Sequence, residues 1–229
     1  MKKINLTLLL FTFQFFLYAQ TTTRNVSAYD GILVAGHYEV TLVSGNEGKL
    51  ELQGAEKDLD LIETYVKNNT LIIKQKERSW LNSWNSKKVS IKVPVEHISK
   101  ANLSGSGSIQ SAMTIQSSQF ENVISGSGTI QLKLDTQTLK GKITGSGHLV
   151  LSGTANQVEF NVTGSGKISA ERVNTKDGKA SITGSGDIHM YSSNSLEANI
   201  TGSGDLLCLG SPERQKTNVT GSGDIEIRN

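Results

Sequence analysis

Cysteine and aromatic residues are scarce in this sequence. Cys208 is the only cysteine among 229 residues, so no disulfide can form within the chain. Aromatic residues make up 6% of the chain, whereas it contains 23 glycines and only 2 prolines. Few bulky rings and many glycines favour thin, layered β structure over a globular core with large side chains. Without disulfides, stability must come from apolar burial and backbone hydrogen bonding.

An excess of charge of one sign is also missing. Lys and Arg number 23 and Asp and Glu number 21, which leaves a formal net charge of +2. Lys2 and Lys3 account for this difference, since residues 1–19 contain no acidic side chain. The remaining chain is neutral and lacks the electrostatic signature of nucleic-acid or anionic-membrane binding. We therefore expect no nucleic-acid partner.

Residues 1–19 have the pattern of a secretory signal peptide. Two lysines precede a mostly apolar run that ends at Leu17, and Ala19 offers a small residue for cleavage. The run is shorter than the roughly 20 apolar residues that a membrane-spanning helix needs, and Gln14 interrupts it. We expect cleavage after Ala19 and export to the periplasm, the outer-membrane surface or the medium. We expect no transmembrane segment in the mature chain.

Gly-Ser-Gly recurs seven times at a nearly constant spacing in the second half of the chain. The first glycines lie 18 to 21 residues apart, and the same neighbours flank every triplet. An aliphatic residue and Ser or Thr precede it, and one variable residue and then Ile or Leu follow it. Such repeats are typical of stacked architectures, in which one repeat cannot bury its apolar face alone. The first glycines are Gly105, Gly126, Gly145, Gly164, Gly184, Gly202 and Gly221.

The repeat predicts a mainly β fold, a right-handed parallel β-helix or solenoid with an N-terminal β-rich cap. At about 3.3 Å per extended residue, one repeat is long enough for one closed coil, and coils stack about 4.8 Å apart. The natural twist of strands favours right-handed winding. We expect residues 101–229 to form the seven-coil solenoid and residues 20–100 to form the cap.

A β-hairpin is predicted near the start of the cap. Residues 26–43 are rich in strand formers, and Val40 and Leu42 lie between polar residues. A polar turn with two glycines at 44–48 leads to a second alternating segment at 49–52. We expect the two segments to pair as a hairpin.

One short helix is predicted after this hairpin. Leu59, Ile62 and Val66 recur at the spacing of an amphipathic helix within residues 55–67. Asp58 is available as a cap at its start, and two asparagines follow it. We expect this helix to be the only one in the cap.

A polar loop between two predicted strands, 71–73 and 89–95, carries Trp80 and Trp84. Exposed tryptophan is costly unless it covers the edge of a core or meets a partner, and aromatic rings are favoured in binding surfaces. The two tryptophans are therefore either a cap over the solenoid end or a binding site.

Two conformations of the Gly-Ser-Gly triplet are compatible with the sequence. As an extended segment, the triplet would keep Ile182 and Ile188 inside, with the glycines between them and the hydroxyls outside. As a corner, it would use the positive φ that other residues resist. We favour the extended segment, because alternation keeps both flanking aliphatic residues inside.

Stacked triplets place their hydroxyl groups in outer columns, and aspartates follow the last three triplets. These columns serve register and solubility alone or form a binding surface. One carboxylate per coil attracts a cation weakly, and His148 and Lys167 take the same position in earlier repeats. We therefore expect no metal site and no cofactor. The candidate ligand-binding residues are Trp80, Trp84, Thr183, Ser185, Asp187, Thr201, Ser203, Asp205, Thr220, Ser222 and Asp224.

No recognised catalytic pattern occurs in the sequence. Its four histidines are isolated, and no triplet has the Gly-x-Ser-x-Gly frame of a nucleophile elbow. Cys208 lies in an apolar segment, where a buried side chain is expected instead of a nucleophile. We expect a non-enzymatic protein. The alternative is a polysaccharide-active β-helix enzyme, a lyase or hydrolase, which would need clustered charged residues on one face.

Several segments occur in an order that resembles a known family. They are the signal-like start, residues 26–32, 38–42 and 84–88, and then the Gly-Ser-Gly repeats. Together they resemble the bacterial putative auto-transporter adhesin, head GIN domain family, from Ser27 to the C-terminus. The resemblance implies an exported or envelope-associated β-solenoid, and it supplies no catalytic or ligand residues.

The expected function is that of an exported structural or adhesion module of the bacterial cell envelope. We expect it to bind glycan or cell-surface protein through a solenoid face or through the loop with Trp80 and Trp84. The edges of the last repeat, near residues 221–229, also favour a homodimer by end-to-end or edge stacking.

Overall fold

The chain is wound mainly from β-strands, and the computed structural model describes residues 20–76 and 88–229. The expected signal peptide lies outside the described residues. In chain order the elements are β1 (Gln20–Asn25), β2 (Gly31–Gly36), β3 (Glu39–Ser44), β4 (Lys49–Gly54), α1 (Glu56–Leu59), β5 (Ile62–Lys67), β6 (Thr70–Gln75), β7 (Ser90–Val95), β8 (Lys100–Gly105), β9 (Ser108–Gly126), β10 (Thr129–Gly145), β11 (His148–Gly164), β12 (Lys167–Gly184), β13 (Asp187–Tyr191), β14 (Ser195–Gly202), β15 (Leu206–Leu209), β16 (Arg214–Gly221) and β17 (Ile225–Arg228).

The repeats stack in register as a solenoid of about seven turns, which confirms the predicted fold class. Segments that follow a triplet form sheet A, through β9, β10, β11, β12, β13, β15 and β17. Segments that precede a triplet form sheet B, through β8, β9, β10, β11, β12, β14 and β16. The long strands β9 to β12 therefore contribute to both sheets.

Alternating apolar residues fill the space between the two sheets. In sheet A, Ile130 pairs with Ile109 and Leu149, and all three are fully buried. In sheet B, Ile143 pairs with Ile124 and Val162, which are buried as well. Burial of each such side chain is worth about 2 kcal/mol. The vertical columns of aliphatic residues are thus the main source of stability in the solenoid.

The Gly-Ser-Gly triplets are corners between sheets B and A, so the extended conformation that we favoured is wrong. The first glycine of every triplet has φ between +114° and +128°. The N–H of Ser127 donates to the carbonyl oxygen of Gly105 in the preceding coil at 3.0 Å. A Cβ on Gly126 would lie 2.6 Å from that same oxygen. The corner nevertheless keeps Ile182 and Ile188 buried, as we expected.

A further corner precedes the repeats, at Gly36. Strand β2 pairs with β8, and β3 pairs with β9, which places Gly36 beside Gly105. Gly36 has a φ of +140°, and its carbonyl oxygen accepts the N–H of Ser106 at 3.1 Å. The buried ring of Tyr38 stands where the repeats have their second glycine. The stacking therefore continues one coil beyond the first triplet.

The predicted hairpin is wrong, because β3 and β4 do not pair with each other. Strand β7 runs parallel to β3 and antiparallel to β4, so it takes the place between them. The other edge of β4 pairs with β1. The polar turn after β3 therefore connects two strands that are separated in the sheet by β7.

The predicted helix is correct only over its first turn. Helix α1 ends at Leu59, and Ile62–Lys67 forms β5, which pairs antiparallel with β6. Asn68 and Asn69 have φ values of 50° and 55° and make the tight turn between these strands. Strands β4 and β5 therefore run antiparallel to β7 and β6, and β5 and β1 are the outermost described strands at the N-terminal end of the stack.

Candidate functional site

The outer surface of sheet B carries a column of alternating charge. Parallel register stacks one charged side chain from each coil, and its sign changes at every step. Because coils lie about 4.8 Å apart, alternation gives each charge opposite neighbours instead of like ones. We call this set the charge column; it consists of Lys100, Glu121, Lys140, Glu159, Lys179, Glu197 and Lys216.

Ion pairs join neighbours within the charge column. The Nζ atom of Lys140 lies 3.8 Å from Glu159 Oε2, and that of Lys179 lies 3.8 Å from Glu197 Oε2. Lys216 Nζ approaches Glu197 Oε1 at 3.5 Å. All these side chains are at least one-third exposed, so each pair contributes little stability by itself. The exposed ammonium and carboxylate groups keep hydrogen-bonding capacity for a ligand.

A second column of polar side chains runs beside the first. Asp177 is its best-connected member, because it accepts hydrogen bonds from Ser195 Oγ at 2.6 Å and from Asn194 Nδ2 at 2.7 Å. The Ser195 hydroxyl is the main cause that holds the pKa of Asp177 below its ordinary value, with further contributions from Asn194 and Arg214. We call this set the polar column; it consists of Gln119, Thr138, Gln157, Asp177, Ser195 and Arg214.

The two columns form the walls of a continuous groove on the outside of sheet B. A cavity of about 610 Å³ lies between them from β10 to β16. A smaller cavity of about 240 Å³ continues toward β8, and both share Thr138 and Lys140. Coil spacing of about 4.8 Å gives the groove a length of about 29 Å over its six steps. We call it the sheet B groove.

The sheet B groove suits an extended polar ligand. Each coil adds one or two groups that donate or accept hydrogen bonds, such as the ammonium of Lys140 and the amide of Gln157. Positive and negative groups alternate, so the groove does not select a ligand of one charge. A ligand with regularly repeated hydroxyl or amide groups matches this arrangement.

The structure brings nine predicted site residues together on the outer surface of the triplet corner. Thr183, Thr201 and Thr220 pair in neighbouring coils and are exposed. Ser185, Ser203 and Ser222 are exposed at successive corners. The aspartates Asp187, Asp205 and Asp224 follow them, and the N–H of Asp224 donates to Asp205 Oδ1 at 2.9 Å. Their role in ligand binding stays a prediction.

The neighbouring carboxylates do not assemble a metal centre. Asp205 and Asp224 line a cavity of about 200 Å³ together with His189 and Glu226. Within residues 20–76 and 88–229, no group of three or more His, Cys, Asp or Glu side chains could hold a metal ion. The other two predicted site residues, Trp80 and Trp84, lie outside the described residues.

Cys208 is buried, as the apolar segment around it predicts. Burial raises the pKa of its thiol to about 11, with a smaller opposite contribution from the backbone of Ser192. The side chain therefore stays protonated at neutral pH and packs as a small apolar group.

The charge column was not among the features predicted from the sequence. Each of its seven members stands five residues before the first glycine of a triplet, as Lys140 does before Gly145. An alignment of the repeats on their glycines would have exposed this alternation of Lys and Glu. The repeat motif consists of the residues that all copies share, so a position whose charge changes sign at every repeat is not part of that motif.

Across the described part of the chain, no helix is both long and apolar enough to cross a membrane.

A family model described as "Putative auto-transporter adhesin, head GIN domain" matches residues 28–212. A putative adhesin from Bacteroides fragilis is 25% identical, with a TM-score of 0.83 over 91% of this chain and 96% of the other. A putative lipid binding protein from Parabacteroides distasonis is 27% identical, with a TM-score of 0.72 over 92% and 96%. A putative adhesin from Parabacteroides merdae, 18% identical with a TM-score of 0.71 over 92% and 96%, shares the fold. No curated protein matches the chain.

Proposed function

Because the chain belongs to the putative auto-transporter adhesin, head GIN domain family, we propose that it is an exported, non-enzymatic adhesion module of the bacterial cell envelope. We propose further that it binds an extended glycan in the sheet B groove. The single observation that carries this proposal is the groove itself, in which successive coils each add a charged side chain to one wall and a polar or charged side chain to the other.

A glycan fits the groove better than a protein does. Protein interfaces usually contain a core of apolar or aromatic side chains. The described walls of the groove instead present hydroxyl, amide, ammonium and carboxylate groups. An extended glycan offers hydroxyl groups at regular intervals, so successive coils can bind successive sugars. The alternating charges supply both donors and acceptors for those hydroxyls.

Two other functions have less support. The 27% identical relative is described as a putative lipid binding protein, but charged walls do not favour acyl chains, and the inward side chains are tightly packed. A polysaccharide lyase or hydrolase would need a pair of carboxyl groups facing the bond to be cleaved. In the groove, Glu159 and Glu197 instead point toward lysines of neighbouring coils.

A glycan array with the chain from Gln20 to Asn229 tests the proposal, and two lysines of β10 provide a matched pair of variants. Lys140→Ala removes an ammonium group from the groove, and we expect about a tenfold loss of glycan affinity. Lys142→Ala removes an exposed ammonium two residues away on the same face, outside the groove lining, and should leave affinity unchanged.

Three other results would redirect the assignment. Absence of glycan binding, or an equal loss in both lysine variants, would contradict binding in the sheet B groove. Loss of binding in the double variant Trp80→Ala/Trp84→Ala alone would place the site in that loop. New reducing ends or unsaturated products after incubation with polysaccharides would establish the enzyme alternative.

A further inference from the structure

The last coil differs chemically from the coils below it. At the inward positions of β16, Gln215 and Thr217 replace Leu196 and Ala198 of the paired strand β14. The amide nitrogen of Gln215 donates to the carbonyl oxygen of Pro212 at 3.0 Å. Polar side chains at inward positions would be costly in the middle of the stack, so this coil has the composition of an end surface.

The edges of this coil retain unpaired backbone groups. Among the described strands, β16 pairs only with β14, and β17 pairs only with β15. Val219 is 40% exposed, and Ile225 and Ile227 are only partly buried. At the opposite end the outermost described strands are β1, which pairs with β4, and β5, which pairs with β6. An edge with free N–H and C=O groups beside apolar side chains is a template for pairing with another strand.

The two edges of the last coil carry opposite charge. Arg214 and Lys216 project from β16. On the other side, Asp224 and Glu226 stand at β17, where Glu226 also pairs with Arg228, whose Nη2 atom lies 2.8 Å from Glu226 Oε2. Glu213 directly precedes Arg214, so the sheet B edge has a net charge of +1 from Glu213, Arg214 and Lys216, whereas the sheet A edge has a net charge of −1 from Asp224, Glu226 and Arg228.

A second copy of the same chain complements both edges at once. A two-fold axis at this end that sets β16 of one copy beside β17 of the other also forms the reverse pair by symmetry. Each basic edge then meets an acidic edge. An axis that paired β16 with itself would instead oppose basic side chains.

We propose that two copies of this chain join end to end through β16 and β17, as a symmetric dimer with the triplet corners of both copies exposed. The proposal does not require glycan binding, although Arg214 and Lys216 of β16 also line the last coil of the sheet B groove. The paired strands are short, since β17 has four residues. The dimer is consequently weak and dissociates on dilution and at high salt.

Light scattering after size exclusion tests the proposal with the chain from Gln20 to Asn229. Two double variants change one edge each: Arg214→Glu/Lys216→Glu makes both edges acidic, and Asp224→Lys/Glu226→Lys makes both edges basic. Each variant alone should be monomeric at concentrations where the unmodified chain is dimeric. An equimolar mixture should form a heterodimer, and the variant with all four changes should form a homodimer again.

The mixing experiment separates the interface from a folding defect, because a misfolded variant cannot restore assembly in its partner. A monomer at every concentration of the unmodified chain would overturn the proposal. So would a dimer that tolerates both double variants. Replacement of Lys142, which lies away from both edges, serves as a control and should leave the dimer intact.

Discussion

The repeat coils and the N-terminal cap are both built from β-strands, yet their contacts have different ranges. In the coils, each residue pairs with residues one repeat away, as Ile143 does with Ile124 and Val162. In the cap, Arg24 donates to carbonyl oxygens 35 and 38 residues away, on Leu59 and Ile62. When contacting residues are always separated by the same number of residues, the sequence shows a period. When this separation varies, as it does in the cap, the sequence shows no period. The two regions should also respond differently to substitution.

The largest effect is expected at a triplet corner. Gly126→Ala would force a side chain into positive φ and place its Cβ 2.6 Å from the carbonyl oxygen of Gly105. We expect the free energy of unfolding to fall by about 3 kcal/mol or more, measured by chemical denaturation. The exposed neighbour provides the control, since Ser127→Ala should cost less than about 0.5 kcal/mol. Equal losses in both variants would contradict the close stacking of the corners.

A smaller effect, confined to the cap, is expected from Arg24→Ala. The guanidinium donates to Ile62 and Leu59 at 2.7 Å each, and it ties β1 to the end of α1 and the start of β5. Loss of these charged hydrogen bonds should cost about 2 kcal/mol.

Hydrogen exchange distinguishes a local response from a global one. In the Arg24→Ala variant, β1, β4 and β5 should lose protection, while β10 to β12 keep theirs. Loss of protection throughout the chain would mean that cap and coils unfold as one unit. Lysine at this position can donate to fewer acceptors than arginine. In Arg24→Lys we therefore expect a loss of protection in β1, β4 and β5 that is smaller than in Arg24→Ala.

Reversal of one charge in the charge column should have a modest effect that depends on salt. Lys179→Glu would stack three carboxylates in successive coils, with Glu159 and Glu197 on either side. We expect a loss of about 1 kcal/mol at low ionic strength, which shrinks as salt is added. Lys142 lies outside the charge column, so in Lys142→Glu the free energy of unfolding should change little at any salt concentration. A loss that salt does not reduce would contradict an electrostatic origin.

The smallest effect is expected from Asp177→Asn, and it depends on pH. Hydrogen bonds from Ser195 and then Asn194 hold the pKa of Asp177 below its ordinary value. A lowered pKa stabilises the fold above the unfolded value, and this contribution is lost as pH falls through the folded value. The variant should therefore be less stable than the parent at neutral pH and equally stable in strong acid. Thermal melts from pH 7 to pH 2 provide the measurement.

The period of the repeats predicted the solenoid, but several local predictions failed for identifiable reasons. Leu59, Ile62 and Val66 have helical spacing, yet Asn68 and Asn69 make a tight turn that pairs β5 with β6. The hairpin between β3 and β4 failed because β7, from much later in the chain, pairs with both strands. The local pattern of polar and apolar residues does not show that β6 pairs with β5 or that β7 pairs with β3 and β4.

None of the predicted site residues that the structure describes lines the sheet B groove, and their own role in binding stays a prediction. The hydroxyl and aspartate columns could be placed because their residue types recur at one position of the repeat. The sheet B groove could not, because its walls are two columns whose residue types change from coil to coil. The alternation of Lys140, Glu159 and Lys179 is visible in the sequence when the repeats are aligned on their glycines, and the register of the coils places these side chains on one surface.

The sequence by itself determined the stack of coils and the alternation of buried and exposed residues, because both follow from the spacing of like residues along the chain. The tertiary structure alone decided the corner conformation of the triplets, the strand order of the cap and the two edges of the last coil. These features depend on which strands lie next to each other in the fold. Packing between segments that are distant in the sequence determines those neighbours. The corner shows this most clearly, since its glycines are required by the carbonyl oxygens of the coil below.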